Sequence, residues 1–463
     1  MPSRLRSRLV WDDAAGNVAV KALVMAPRGP AMPETPGFDL QLTPREQAIG
    51  LLRIGAEVEH ALMVQYLYAA YSLNEEQKDP TRRMLVQKWK STILEIAREE
   101  MGHLATVENL LTVIGGPLSF DRDDYPIHDP ELWPFPFQLE PLTKYSLGRY
   151  VLAEMPSEKV LEQLGLKDEI DAIKKKVKAE GDLKVHRVGL IYDAISKLFD
   201  TGPIIEGPPA PPFTNPHPFI ASVDIQADSL RYQVTASAWG LGYQKILIET
   251  AHDRTSAMNA IKLIADQGEG TNVPSDLSAS HFGRFLLIYR DFPDEGEWPP
   301  SRHVAVNPTT NSKTTDPSRR IEGDARLWAE MCNMRYRMLL MYLQHSFAIE
   351  APAGSKSRPS RGSLISWTFG EMYNIRSLSE ILMEMPLQPG AAVMAGPPFE
   401  MPDSLVLPAR STDIWRLHRD LLLSAIALAN RLVDACPAKR QYLQTLLAAD
   451  QAALEQTVAL IGV

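Results

Sequence analysis

The chain is 463 residues long and carries a formal net charge of −9, so neither a nucleic-acid backbone nor an anionic membrane surface is an expected partner. Hydrophobic residues make up 45% and charged residues 23%, the balance of a globular protein, and at ~150 residues per domain the length suggests about three units. The only cysteines, Cys332 and Cys436, give neither zinc-knuckle spacing nor a disulfide framework, which fits a reducing compartment.

Residues 1–42 read as an irregular arm. The basic stretch 1–11 is interrupted by charge before a signal-peptide core can form, and no run approaches the ~20 apolar residues of a membrane span, so a cytoplasmic location is expected. Thr43-Pro44-Arg45-Glu46 then supplies a cap, a proline at the first helical position and an acid in the first turn. Helical spacing of apolar residues predicts a helix over 47–73, and a second over 81–114 that stops at Gly115-Gly116-Pro117. After an aromatic and proline-rich loop, shorter helices are predicted near 143–154 and 157–178, and a strong one near 182–200. The stretch 201–235 is irregular with some extended potential. Helical spacing resumes near 243–267, breaks at Gly268-Glu269-Gly270 and restarts over 278–289. Beyond a linker at 292–321, helices are predicted near 322–349, 364–385, 411–434 and 438–459.

The 36 prolines concentrate at 117–141, 203–218, 293–317 and 386–408, where they fix the backbone and remove amide donors between helical blocks. The expected fold is therefore all-α. An arm (1–42) precedes a helical bundle with long irregular loops (43–291), a linker (292–321) and an additional C-terminal helical subdomain (322–463).

Helical bundles that hold iron or manganese take one Glu from each of two helices and Glu-x-x-His from each of the others. Residues three apart share a helix face, so both ligands of such a pair reach one axis, and oxygen with imidazole nitrogen suits iron or manganese. The second helix contains Glu100 and His103 at this spacing. Stepping by three or four from Glu100 meets Ile93, Ile96, Ala97, Leu104 and Val107, an apolar stripe, so this carboxylate needs a buried partner. Glu99 steps onto Thr92, Glu95 and Thr106 and reads as polar-facing. On the first helix Glu59 has Gly55, Ala56, Leu62 and Met63 as neighbours, again an apolar face. Glu57 and His60 flank it, and His60 reads more readily as a satisfied core histidine than as a ligand. Glu269 and His281 are separated by Gly270 and Pro274, so no continuous helix carries both. Two readings stand for them: ligands folded together by the loop, or a helix C-cap and a capping side chain.

The runs 57–73 (Glu57-Val58-Glu59-His60-Ala61-Leu62-Met63 onward) and Ala97-Arg98-Glu99-Glu100-Met101-Gly102-His103-Leu104 resemble the ferritin-like domain of iminophenyl-pyruvate dimer synthases. Asn109-Leu110-Leu111, Ile114-Gly115-Gly116, Gln267-Gly268-Glu269-Gly270 and His281-Phe282-Gly283-Arg284-Phe285 continue the match. It extends through Asn333, Tyr336 and Leu339-Leu340 to Ala395-Gly396-Pro397-Pro398-Phe399-Glu400, covering most of residues 45–400. The resemblance implies a ferritin-like bundle whose metal ligands are Glu59, Glu100, His103, Glu269 and His281. It also implies coupling of imines derived from oxidised aromatic amino acids in bacterial secondary metabolism.

This chain departs from the family pattern on the third helix, where Leu190 in Val188-Gly189-Leu190-Ile191-Tyr192 replaces a carboxylate. His186 and Asp193 are the residues spaced to fill that gap.

The functional expectation is an iron-dependent oxidoreductase or oxidative coupling enzyme with one or two non-haem iron ions, manganese being the other metal considered. Glu59 and His60 are its candidate proton-handling catalytic residues. A small-molecule substrate, aromatic in this reading, is the expected partner, together with a homo-oligomer or an association with an upstream amino-acid oxidase. The loop aromatics Tyr125, Trp133, Phe135 and Phe137 are candidates to cover a planar substrate, with ordinary loop packing as the other reading. The alternative to an enzyme is a non-catalytic scaffold or complex subunit with a degenerate metal site. Its sign would be Glu59 and Glu100 paired with Arg or Lys. Iron or peroxide handling as in storage ferritins ranks last, because the second helical block and the loops suit a closed shell poorly.

Overall fold

The computed structural model describes residues 9–11, 36–38, 42–128, 135–177, 188–200, 219–239, 246–269, 276–349 and 361–461. In the arm, β1 (Leu9–Trp11) pairs antiparallel with β2 (Pro36–Phe38) in a short ribbon. The first helix starts where the capping signal places it. Thr43 Oγ1 accepts from the Glu46 amide at 3.2 Å, and the Glu46 carboxylate accepts from the Thr43 amide at 3.1 Å. This capping box satisfies two amides that the first turn leaves open. From there α1 (Pro44–Ser72) runs buried on several sides. The short connection 73–79 turns the chain into α2 (Pro80–Val113), capped by Asp79. The first turn and a half of α2 is exposed; burial begins at Val86, with Gln87, Lys88, Ser91 and Arg98 still on the surface.

Three small helices follow: α3 (Lys144–Ala153), α4 (Glu158–Leu164) and α5 (Lys167–Lys176). The single helix expected over 157–178 is thus two, because Gly165 takes a left-handed conformation (φ 67°) that closes α4. Helix α6 (Val188–Phe199) packs on α1. The extended potential of 201–235 is not realised among the described residues, which form 3-10 turns over Ser222–Asp224, Ala227–Tyr232 and Ala236–Trp239. Side chains, not a neighbouring strand, satisfy that backbone. Asn109 of α2 bonds both the Val234 amide (2.9 Å) and carbonyl (2.8 Å), and Gln233 bonds both backbone groups of Ala251.

Helix α7 (Arg254–Glu269) begins later than its apolar spacing suggests and continues through Gly268. The preceding segment lies instead against α2 at Gly102, where a Cβ would come within 2.6 Å of the Leu247 carbonyl oxygen. Helix α8 (His281–Asp291) is capped by Ser280, which accepts from the Gly283 amide at 3.1 Å. Gly283 is required there because the Leu277 carbonyl oxygen occupies the place of a Cβ. Helix α6 contacts α7, and α8 contacts α2 and α3, which closes the bundle around α1 and α2.

The 292–321 segment is tied down by backbone bonds to 72–74, 139 and 394, including Arg302 N to Ser72 O at 2.8 Å. The C-terminal subdomain comprises α9 (Asp324–Ala348), α10 (Arg361–Leu382), α11 (Ser411–Ala435) and α12 (Arg440–Ile461). One hydrophobic cluster runs from α1 through α9, α10 and α12, and a smaller one lies between α9 and α11. No single described helix is long and apolar enough to cross a membrane.

Arg335 of α9 is fully buried and bonds both Asp450 oxygens at 2.7 and 2.5 Å, with Glu371 Oε1 at 3.4 Å. It therefore fastens α9 to α10 and α12. Arg335→Leu leaves two buried carboxylates without their cation, which costs about 3–5 kcal/mol. Urea unfolding is expected to show this loss, whereas Arg410→Ala on the surface shifts stability by less than about 0.5 kcal/mol.

Candidate metal centre

Glu59 of α1, Glu100 and His103 of α2, and His281 at the start of α8 meet in the middle of the bundle, each no more than 3% exposed. His103 Nδ1 stands 3.0 Å from Glu100 Oε2 and 3.3 Å from Glu59 Oε2. His281 Nδ1 stands 2.8 Å from Glu100 Oε1. The two imidazoles stack with centroids 5.3 Å apart. Glu100, His103 and His281 each offer a ligand atom within 4.8 Å of the others.

The outer nitrogen of each ring is held by an oxygen. His103 Nε2 donates to Gln267 Oε1 at 2.9 Å. His281 Nε2 donates to Glu99 Oε2 at 2.9 Å, and Arg284 pairs with the same carboxylate. With Nε2 as donor, each ring turns the lone pair of Nδ1 toward the centre, the arrangement by which outer hydrogen bonds orient metal-binding histidines.

A third carboxylate enters from α3. Glu154 caps the C-terminus of that helix, just before Met155-Pro156, and its Oε2 lies 3.8 Å from His281 Nδ1. A tyrosine hydroxyl donates to the far oxygen of each flanking carboxylate: Tyr66 to Glu154 Oε1 at 2.5 Å, and Tyr192 to Glu59 Oε1. The inner oxygens remain directed at the histidines. Gly268 of α7 passes this corner, where a Cβ would sit in ordinary contact with Glu154 Oε2 at 3.5 Å.

Burial, then the charge of Glu100, pushes the Glu59 carboxyl up to about 7. Burial works against a charged His103, but hydrogen bonds and charge from Glu100 and Glu59 outweigh it and hold the ring up at about 10. His281 is likewise raised well above the usual imidazole range, chiefly by Glu100 once its own burial is overcome. Glu99 is pulled down to about 2, its burial outweighed by His281 and Arg284. Without an ion, protons on the two histidines therefore stand in for positive charge at the centre.

The residues fit a metal. Glu100 Oε1 and His281 Nδ1 are buried and 2.8 Å apart, yet neither atom has a partner in hydrogen-bonding geometry. A cation facing both lone pairs satisfies both atoms. The cavity bounded by Glu59, Glu100, His103, Glu154 and Tyr192 has a volume of about 20 Å³, room for an ion or a water-sized molecule.

Several sequence expectations take a different form. The backbone of Glu269 ends α7, but its side chain, like the whole of His186, lies outside the described residues. Asp193 is exposed and does not point at the axis. Leu190 is buried, and the carboxylate its helix lacks has a counterpart in Glu154 from α3.

His60 is turned away from Glu59, since successive helical residues differ by about 100°. Its Nδ1 bonds the Phe120 carbonyl at 3.0 Å and its Nε2 meets the Tyr336 hydroxyl. Burial, then Arg122, holds its pKa well below the usual range, so it stands as a neutral core histidine, not a proton shuttle at the carboxylates. Tyr125, Phe135 and Phe137 are buried core residues, as in the ordinary loop-packing reading; Trp133 lies outside the described residues. Glu99, read as polar-facing, is buried because α8 lays His281 and Arg284 across it.

A family model described as Ferritin-like matches residues 52–290. The dichlorochromopyrrolate synthase of Lentzea aerocolonigenes is 25% identical over 441 residues, covering 86% of this chain and 40% of the synthase. The 2-imino-3-(indol-3-yl)propanoate dimerase of Chromobacterium violaceum is 26% identical over 408 residues, covering 81% of this chain and 35% of the dimerase. This chain thus spans no more than 40% of the length of these curated relatives. The crystal structure of a ferritin-like protein from Caulobacter vibrioides aligns over 77% of this chain and 99% of its own, at 17% identity and a TM-score of 0.38.

Because His103 is protonated at neutral pH with its pKa raised to about 10, a metal must displace protons to bind. Titration calorimetry of Fe(II) into the metal-free protein at pH 7, in buffers of different ionisation enthalpy, is expected to show release of about one proton or more per ion. Affinity rises with pH accordingly. Buffer-independent heats and a pH-independent affinity would contradict this electrostatic account.

Proposed function

This chain belongs to the ferritin-like family, and from that premise we propose that it is a non-haem iron oxidoreductase coupling amino-acid-derived aromatic imines in bacterial secondary metabolism. The observation that carries the proposal is the pair of Nδ1 atoms, on His103 and His281, turned by Gln267 and Glu99 toward the Glu100 carboxylate, where an ion would take the place of their protons. Glu100, His103 and His281 would hold the ion, with Glu59 and Glu154 as the further oxygen ligands and Glu269 as the family-implied one. Oxygen and imidazole ligands suit iron, with manganese the nearest alternative.

The name of one curated relative, the 2-imino-3-(indol-3-yl)propanoate dimerase, supplies the substrate class, an imine bearing an indole. Joining two such molecules breaks C–H bonds and forms a C–C bond. Two electrons and two protons then pass to an oxidant of the dioxygen or peroxide class. The bound ion would supply the one-electron chemistry toward that oxidant. With Oε1 taken by Tyr192, Glu59 has Oε2 alone to offer: it would either join the ion's ligands or, with the ion held by the other residues, hold and exchange a proton, its carboxyl being raised to about 7. Arg284 keeps Glu99 charged, and Glu99 in turn fixes the His281 ring. An upstream amino-acid oxidase would generate the imine.

The scaffold reading is less favoured. Among the described residues the partners of Glu59 and Glu100 are histidines and a tyrosine, with no Arg or Lys pairing to either.

Reconstitution under reducing conditions is expected to load about one or two irons per chain, with affinity falling about 10–100-fold in His281→Ala and in Glu99→Gln. The loaded protein, given tryptophan and an amino-acid oxidase, is expected to form a product with the mass of two imines less two hydrogens. Iron loading without that product would leave the metal site and remove the coupling reaction; absence of loading would remove both.

A further inference from the structure

A second and much larger cavity, about 480 Å³, lies between the α1–α2 pair and helices α9 and α10. With 3.6 residues per turn, Ala97, Met101 and Leu104 face it from the side of α2 opposite Glu99 and His103. The metal cavity admits an ion, whereas this one is of a size that encloses an organic molecule, in the range of ~300–1,000 Å³ typical of small-ligand sites.

Its walls are apolar and rich in π faces and thioethers: Tyr71, Tyr336, Phe369 and Tyr373 with Met63 and Met101. Sulfur–aromatic and ring–ring contacts both favour a flat aromatic occupant over a flexible chain. Tyr336 forms a rigid wall, because its hydroxyl is held by buried His60 and by Arg122 Nη2 at 3.1 Å. Here the His60 ring has a structural use that its neighbour Glu59 does not.

The charged side chains lining the cavity are Lys90, Arg98, Arg376 and Glu75. Lys90 bonds Glu75 at 2.5 Å, and Arg376 reaches Glu380 at 3.3 Å. Arg98 is exposed, with its Nε on the Leu94 carbonyl, and has no ion-pair partner among the described residues. The lining charge is positive, and a guanidinium that lacks a carboxylate is placed to receive one.

We infer that this cavity is a binding site for a small aromatic carboxylate, seated among Tyr71, Tyr336 and Phe369 with its acid group toward Arg98 and Arg376. The inference rests on the cavity alone and stands independently of the metal and of the coupling reaction.

Equilibrium dialysis of naphthalene-2-carboxylate against the full chain tests it. Saturable binding of one molecule per chain is expected. 2-Naphthylmethylamine, with the same rings and the opposite charge, and decanoate, with an acid but no rings, are each expected to bind at least about tenfold more weakly. Leu94→Trp fills the cavity and is expected to weaken naphthoate binding by at least about tenfold. Arg98→Glu, at an exposed position that does not endanger folding, is expected to weaken it by at least about fivefold.

Glu100→Ala, about a quarter of a turn around α2 from the centre of the lining face and pointing to the metal cavity, should leave the affinity within about twofold. No saturable binding, or equal binding of the amine or of decanoate, would overturn the assignment. So would an affinity that Arg98→Glu does not change, or its loss in Glu100→Ala, which would place the ligand at the metal centre instead.

Discussion

Glu59, Glu99, Glu100 and Glu154 share one buried layer of the bundle, and an isolated carboxylate buried in an apolar interior is strongly destabilising unless partnered. Each of the surrounding elements answers that constraint. Helix α6 brings Tyr192 to Glu59, α1 brings Tyr66 to Glu154, and α8 brings His281 and Arg284 to Glu100 and Glu99. Gly102 and Gly283 are the places where backbone segments come too close around this layer for a Cβ. The packing of the bundle and the electrostatics of its centre are therefore one problem. The buried acids hold the histidines protonated, and the same negative charge makes the centre a candidate site for a cation.

Part of this was legible in the residues. The Thr43-Pro44-Glu46 cap, the apolar stripe under Glu100 and the three-residue step to His103 are local signals, and local signals survive into the fold. Glu154 was not legible as a site residue: it shares a stripe with Leu147, Tyr150 and Val151, but it stands at the C-terminal cap of a short helix beside Met155-Pro156 and has no histidine three residues on to mark it. Gln267 and Glu99 act only on rings that arrive from other helices, so no spacing within their own helices reveals them. Glu99 does lie on a polar face, as its neighbours indicate, but that face is buried because α8 covers it with His281 and Arg284. The division of the expected 157–178 helix turns on one left-handed glycine, Gly165, whose weight against a good helical pattern depends on tertiary packing.

The helices α1 and α2 present two different environments on their two sides. One side is charged and closed down to about 20 Å³; the other is apolar and opens to about 480 Å³. His60 and Glu59 are sequence neighbours that serve opposite sides, His60 through Tyr336 and Glu59 through Tyr192. The C-terminal subdomain, fastened through Arg335, Asp450 and Glu371, forms the far wall of the open side through α9 and α10. It thus does more than cap the bundle, since the apolar cavity does not exist without it.

The central claim is that Glu100, His103 and His281 converge on a cation. Crystals of the protein grown with Fe(II) under reducing conditions, with diffraction recorded on both sides of the iron absorption edge, test it directly. The account predicts an anomalous peak that takes ligands from a Glu100 oxygen and from Nδ1 of both histidines. Electron density with no anomalous peak there, or with the iron bound through the Nε2 atoms elsewhere, would contradict it.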